Sequence, residues 1–272
     1  MQHASSASAA PPPPALPSHA GTPSSAEIEA HFRELCDGLD PLVDPSELAA
    51  KVASGLPSEG MSSDQLSELM AETAAYQSSM HPDFGILAAR VSVARLHSIT
   101  EPGLLPTLRK MRDHTLSSGE SAPLVTAEIV ALADSMGPEL EAALRHEADW
   151  RYDYFGLRTL QRSYLKRTSD GTPLERPQHM LMRVALCVHG ADKAAVLHAY
   201  DLMSRGLYTH ATPTLFNAGS PRQQLSSCFL LTAKEDSIDG IFETLRRCER
   251  PRCCCLTLCL LPRPLLAASP SA

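Results

Sequence analysis

The sequence contains no apolar run long enough to cross a membrane. A membrane-spanning helix needs about 20 consecutive apolar residues, and the most apolar stretch, residues 256–268, is interrupted by Pro262, Arg263 and Pro264. A dense basic segment is also missing: the 24 lysines and arginines are scattered, 31 acidic residues outnumber them, and the formal net charge is -7. We therefore expect no membrane partner and no nucleic-acid partner, and any nucleotide that binds should be small.

Metal-type cysteine spacing is absent as well. Cys36, Cys187 and Cys228 are far apart in the sequence, and the remaining cysteines are crowded into residues 248–259. Adjacent cysteines do not easily converge on one tetrahedral ion, and no C-x-x-C pair is present. We predict no metal site and no cofactor bound directly by this chain. Widely spaced cysteines indicate a reducing compartment, which favours the cytoplasm.

Residues 1–25 consist mainly of Ala, Ser and Pro and contain almost nothing that could form a core. This composition predicts a disordered tail. An organelle transit peptide is the alternative interpretation, but such peptides carry arginines, and no lysine or arginine precedes Arg33.

Helical patterns dominate residues 26–223. In residues 26–100 one helix is capped by Ser62 or Ser63 and the next begins at Pro82, which predicts a helical pair. Prolines and glycines divide residues 101–148 into short helical pieces, so we interpret this stretch as a connector. Residues 149–223 form a second helical layer, in which one helix begins at Pro177 and another covers residues 192–205.

The pattern changes after residue 223. Residues 224–231 (QLSSCFLL) predict a strand buried on both faces, with a buried helical segment as the alternative. Residues 237–247 predict a helix, and a strand followed by a helix favours a parallel sheet. Residues 249–272, rich in Cys, Pro and Leu, follow no period. We interpret this last stretch as the product of a shifted reading frame or a misread splice junction.

Four consecutive motifs connect the chain to a known family. They are ERPQHMLMRVAL at 175–186, THATPTLFNAG at 209–219, QLSSCFLL at 224–231 and EDSIDGIFETL at 235–245. In this order they resemble signatures of the large subunit of class I ribonucleotide reductase. The resemblance extends upstream through DYFGLRTLQRSYL and HPDFGILAARVSVARLH and covers about residues 27–248.

The resemblance implies a mainly α architecture with six segments. These are a disordered tail at 1–25, a degenerate ATP-cone-like helical region at 26–100, a helical connector at 101–148, the helical N-terminal domain at 149–223, the first strand and helix of a truncated ten-stranded α/β barrel at 224–248, and an aberrant tail at 249–272.

The resemblance also implies a chemistry, the reduction of ribonucleoside diphosphates to deoxyribonucleoside diphosphates. It assigns Cys228 as the first member of a redox cysteine pair whose partner has no match in this sequence. The implied substrate-binding residues are Thr212 and Ser227, and the implied allosteric effector-binding residues are Asp236, Ser237 and Ile238. Residue types alone leave other interpretations open. Cys228 could be a buried structural cysteine, the hydroxyls of Thr212 and Ser227 could bond to nearby backbone, and Asp236 or Ser237 could be an ordinary helix N-cap.

The implied partners are a small subunit that carries a di-iron radical cofactor, a second large subunit in a homodimer, thioredoxin or glutaredoxin, and ATP and dNTP effectors.

The sequence also departs from the family pattern. Prolines and serines replace the basic hairpin that opens the family's cone, and Ser98 stands where relatives carry a phosphate-contacting lysine, so we expect weak ATP binding. Without the rest of the barrel we expect no reductase activity from this chain alone. The alternative is a non-catalytic helical regulator or decoy that binds full-length reductase subunits.

Overall fold

The computed structural model describes residues 23–57, 61–232 and 235–249. Most of the predicted N-terminal tail and the cysteine-rich tail from residue 250 lie outside this range. Within it the fold is mainly α, as predicted, and extended pairing is limited to isolated bridges between Thr115 and Ser121 and between Arg167 and Pro173.

Four helices form the first packing unit. They are α1 (Ser25–Leu35), α2 (Pro45–Ser54), α3 (Ser63–Tyr76) and α4 (Asp83–Ile99), with a 3-10 turn at Gln77–Ser79. Ser62 caps α3 in a reciprocal arrangement, because its hydroxyl accepts from Gln65 N at 3.2 Å while Gln65 Oε1 accepts from Ser62 N at 2.9 Å. The predicted pairing of α3 with α4 is confirmed, although α4 begins one residue after Pro82.

The core of this unit is a cluster of buried apolar side chains. Phe32, Leu48, Met70 and Leu87 are fully buried in one cluster. Each such side chain contributes about 1.5–3 kcal/mol through removal from water. Packing between helices therefore stabilises this part of the chain.

A second unit follows with shorter helices. They are α5 (Leu104–Arg112), α6 (Ala127–Met136), α7 (Pro138–Ala143), a 3-10 segment (His146–Arg151), α8 (Tyr154–Thr159), a π-helical turn (Leu160–Tyr164), α9 (Pro177–His189), α10 (Lys193–Ser204) and α11 (Thr212–Asn217). The short pieces between residues 104 and 143 and the start of α9 at Pro177 confirm the sequence predictions. Residues 177–186 of α9 are all buried, which makes α9 the central helix of this unit.

Trp150 lies where the two units meet and packs against both hydrophobic clusters. Next to it, the fully buried carboxylate of Asp149 accepts a hydrogen bond from Gln178 Nε2 at 2.9 Å and lies 2.8 Å from His97 Nε2. A buried carboxylate needs such partners because the cost of removing its charge from water is high. The Asp149 contacts therefore connect α4 of the first unit to α9 of the second.

Two histidines converge on one carbonyl at this junction. The Nε2 atoms of His146 and His179 lie 2.8 and 3.1 Å from Pro102 O. Since a carbonyl oxygen only accepts, both imidazoles donate through Nε2. Burial lowers the pKa of His179 to about 3 and also lowers the pKa of His146, so both rings are neutral at neutral pH.

The strand predicted for residues 224–231 is wrong, and so is its helical alternative. These residues have no regular secondary structure, and Phe229, Leu230 and Leu231 are exposed rather than buried. A strand needs a neighbouring strand to accept its backbone hydrogen bonds, and no extended neighbour pairs with this segment among the described residues. A start of a barrel sheet is therefore not formed here.

The helix predicted for residues 237–247 is confirmed as α12 (Ile238–Glu249). Its apolar side chains, including Ile241, Phe242 and Leu245, are more than half exposed. Within the described part of the chain, no helix combines the length and apolar character that a membrane crossing requires.

Candidate functional site

The candidate site is built around α11, which carries Thr212 as its first residue. Pro213 follows at the second position, where a missing N–H costs nothing because the first amides of a helix have no intrahelical acceptor. The Thr212 hydroxyl is half-buried and lies 3.0 Å from the Tyr164 hydroxyl. The N-terminal end of α11 is thereby connected to the π-helical turn.

The C-terminal end of α11 is held by a buried arginine of α9. Arg183 donates to Ala218 O at 2.5 Å and to Leu215 O at 3.3 Å. These carbonyls lack intrahelical donors, and a cation is favourable at the negative end of a helix. We call Arg183 together with its ion-pair partner Glu175 the α9 clamp.

The charge of Arg183 is neutralised within the core. Glu175 accepts from Arg183 Nε at 3.0 Å and from Nη2 at 2.7 Å, and both side chains are fully buried. Glu175 also accepts from the backbone amide of Lys166 at 2.9 Å. Bidentate geometry and a satisfied carboxylate are the conditions under which a buried ion pair is tolerated. The α9 clamp therefore fixes α11 on α9.

The chain remains anchored for several residues after α11. Asn217 Nδ2 donates to Gln224 O at 2.9 Å, and Thr214 Oγ1 donates to Leu225 O at 3.0 Å. Leu225 still packs against the second hydrophobic cluster. The chain thus stays packed through Leu225, and the exposed segment begins at Ser226.

Gly219 makes the turn at the end of this segment possible. Its φ of 74° lies in the left-handed region, and a Cβ at this position would meet Ile129 Cγ1 at 3.0 Å. Its carbonyl accepts from Thr126 N at 2.8 Å, which joins the turn to the cap of α6. A side chain at this position would strain both the backbone and the contact with α6.

Ser227 and Cys228 lie directly beyond the anchored segment, and both are exposed. The structural alternative for Cys228, a cysteine buried in an apolar strand, is therefore wrong. An exposed thiol is accessible to a substrate or to a second thiol, as thiol–disulfide exchange requires. The functional assignment of Thr212, Ser227 and Cys228 stays a prediction, but the structure places the first in an anchored helix and the other two in an exposed segment.

The predicted effector residues lie at the start of α12. Asp236, Ser237 and Ile238 are exposed, and Ser237 Oγ accepts from Gly240 N at 3.0 Å. This hydrogen bond is typical of a helix N-cap, so Ser237 makes the contact that the alternative interpretation, an ordinary N-cap, predicts. The hydroxyl of Ser237 would have to share its acceptor capacity with any effector.

Sequence reasoning missed Tyr164 and the α9 clamp. Arg183 interrupts the apolar face of α9, and Glu175 precedes the helix by two residues. A charged residue on the apolar face of a helix is the signal that could have revealed the ion pair, because such residues are buried only when paired. No grouping of His, Cys, Asp and Glu suited to a metal ion occurs in residues 23–57, 61–232 and 235–249.

The residues that build this site lie in a part of the chain that is similar to known proteins. The profile of the ribonucleotide reductase all-alpha domain matches residues 151–223, which include the α9 clamp, Tyr164 and α11. The ribonucleoside-diphosphate reductase large subunit of Dictyostelium discoideum is 49% identical over 82% of this chain and 26% of its own length. The large chain of Schizosaccharomyces pombe is 46% identical over 82% of this chain and 27% of its own.

The large subunit of Arabidopsis thaliana shows 45% identity with the same coverage, 82% of this chain and 27% of its own length. The chain thus spans about a quarter of the length of the curated relatives that it matches. Identity at this level extends through most of the described helices as well as the all-alpha domain. Over 82% of its length the chain is thus similar to ribonucleoside-diphosphate reductase large subunits, and residues 151–223 match the all-alpha domain of ribonucleotide reductase.

Proposed function

We propose that this chain supplies part of the substrate site of a ribonucleoside-diphosphate reductase. The observation that carries the proposal is the anchoring of α11 at both ends, which presents Thr212 from a rigid element, with Ser227 and Cys228 following in an exposed segment. Thr212 and Ser227 would bind the diphosphate and sugar of the substrate. Sites built on rigid elements hold their ligands more exactly than sites on loops.

Cys228 would act as one of two reducing thiols. In the balanced reaction the ribose 2′-hydroxyl leaves as water, the 2′-carbon gains hydrogen, and two thiols become one disulfide. The second sulfur must approach so closely that the two Cα atoms lie within about 7 Å. This sequence has no match to the family's second cysteine, so we expect the 272-residue chain alone to be inactive.

The remaining roles follow the same family assignment. Reduction would start with a radical delivered from a di-iron small subunit and would be renewed by thioredoxin or glutaredoxin in the cytoplasm. Asp236, Ser237 and Ile238 would contact a dNTP effector in a homodimer of large subunits. We propose that the ATP-cone-like region at 26–100 binds ATP weakly, since the exposed Ser98 bonds only locally, to Arg95 O at 2.8 Å and to Arg95 Nη1 at 3.3 Å.

A second candidate function is suggested by the exposed apolar face of α12. Ile238, Ile241, Phe242 and Leu245 recur at helical spacing and are 58–74% exposed. Such a face is typical of a helix that packs on a partner. The chain would then act as a decoy that occupies the pairing surface of full-length reductase subunits. Added to an active reductase, it would lower turnover, and Phe242→Asp would remove this inhibition.

Titration of the chain with CDP, followed by the NMR signals of Thr212 and its neighbours, tests the main proposal. Thr212→Val is expected to weaken CDP binding about three- to tenfold, because one hydrogen bond is lost. Thr73→Val is the matched control, since this hydroxyl bonds to Leu69 O within α3. Absence of CDP binding, or equal affinity of the wild type and Thr212→Val, would refute the proposal. Deoxycytidine diphosphate formation by the isolated chain would contradict its expected inactivity.

A further inference from the structure

The π-helical turn at Leu160–Tyr164 is an unusual feature beside the candidate site. It is closed by a hydrogen bond from Leu165 N to Leu160 O at 2.9 Å, a spacing of five residues rather than four. Such turns insert one extra residue, redirect the side chains that follow, and occur frequently at functional sites. Tyr164 is the last residue of this turn.

Tyr164 holds α11 at two points. Its hydroxyl lies 3.0 Å from Thr212 Oγ1, and its ring stacks on Phe216 with a centroid distance of 4.7 Å and an interplanar angle of 35°. Thr212 and Phe216 lie one turn apart on the same helix. The two contacts restrict the position of Thr212 and the rotation of its hydroxyl.

We infer that Tyr164 is a positioning residue that directs the Thr212 hydroxyl proton toward the substrate diphosphate. A diphosphate only accepts hydrogen bonds, so Thr212 must donate to it. If the Tyr164 O–H donates to Thr212 Oγ1, the Thr212 proton is left for the phosphate oxygen. If Thr212 Oγ1 instead donated its proton to the Tyr164 hydroxyl, the diphosphate would lose this donor.

The hydrogen bond from Tyr164 also strengthens the one that Thr212 donates to the diphosphate. A hydroxyl that accepts a hydrogen bond is polarised and becomes a better donor. The half-buried position of both residues reduces competition from water. Tyr164 thereby acts through Thr212 without being a catalytic residue itself. This inference rests on the proposed role of Thr212 in substrate binding.

The Tyr164→Phe variant tests the inference because it retains the ring and its stacking on Phe216 while it removes only the hydroxyl. We expect CDP affinity to fall about three- to tenfold and cytidine affinity to stay unchanged, since only the diphosphate uses the Thr212 donor. Tyr76→Phe is the matched control, because Tyr76 is 88% exposed. In a Thr212→Val background Tyr164→Phe is expected to have no further effect, whereas Thr212→Ser should preserve sensitivity to it.

A measurement without ligand separates the possible failures. The three-bond coupling between Hβ and the hydroxyl proton of Thr212 should report one hydroxyl rotamer in the wild-type chain and averaged hydroxyl rotamers in Tyr164→Phe. A single rotamer in the variant would overturn the inference, as would equal losses of CDP and cytidine affinity. If Thr212→Val weakens CDP binding and Tyr164→Phe does not, the inference fails while the proposed function stands. If Thr212→Val has no effect but the rotamer averages, the proposed function fails and the positioning contact stands.

Discussion

Residues 175–225 and residues 226–247 both carry family motifs, yet they differ in how they are held. The first segment contains α9, α10 and α11, a buried ion pair, and side-chain bonds that cross from helix to helix. The second segment is exposed throughout most of its length. Sequence similarity is therefore shared by a segment that packs and a segment that does not.

The hydrogen bonds of α12 show the difference. Glu243 accepts from Arg246 at 2.8 Å and from Arg247 at 3.0 Å, and Ser237 caps the same helix. All of these contacts are local, and exposed ion pairs of this kind contribute little to stability because water and salt screen them. The conformation of α12 thus depends on propensity, whereas α11 depends on tertiary packing.

The largest effect is expected from breaking the α9 clamp. Arg183→Met leaves Glu175 as a buried charge without its cation and removes the donors to Ala218 O and Leu215 O. We expect the free energy of unfolding to fall by about 3–5 kcal/mol. Urea unfolding, monitored by far-UV circular dichroism and by the fluorescence of Trp150, the single tryptophan, measures the change.

Lys193→Met is the matched control for this prediction. The Lys193–Glu139 pair has a 2.8 Å separation but is 40% and 60% exposed. Its loss is expected to cost at most about 1 kcal/mol. The double variant Glu175→Met/Arg183→Met should lose less than Arg183→Met alone, because no unpaired charge remains in the core. Equal losses for Arg183→Met and Lys193→Met would show that the clamp does not hold α11.

The contrast also explains which features could be predicted from the sequence. Ser62, Pro177 and Asp192 mark helix starts through local chemistry, and the helices that they predict are present. The strand at residues 224–231 was predicted from an apolar run alone, but a strand exists only with a partner. The Tyr164–Thr212 contact joins residues 48 positions apart. No local sequence pattern predicts this contact, because it forms only when distant segments pack together.

A smaller effect is expected from pH, through the buried histidine of α9. Burial lowers the pKa of His179 to about 3 from its ordinary 6.5. Between these pH values the unfolded chain binds a proton that the folded chain does not. The contribution of neutral His179 to the free energy of unfolding is therefore complete above about pH 6.5. It is lost as pH falls, by up to about 1.4 kcal/mol per pH unit.

His179→Gln removes this titration while it keeps a donor for Pro102 O. The free energy of unfolding, measured by urea at pH 7 and at pH 5, should depend less on pH in the variant. The part contributed by His146 remains, since burial lowers its pKa as well. Identical pH dependence in His179→Gln and wild type would contradict the prediction.

The smallest effect is expected in the exposed segment. Leu230 is fully exposed, so Leu230→Ser removes no packing, and the free energy of unfolding should change by less than about 0.5 kcal/mol. Leu215→Ala in α11 is the contrasting variant, since Leu215 is 7% exposed and its truncation should cost about 2–5 kcal/mol. Urea midpoints of the two variants measure the difference directly. A loss above about 1 kcal/mol for Leu230→Ser would mean that residues 226–232 do pack in solution. The contrast between a packed and an exposed segment would then be wrong.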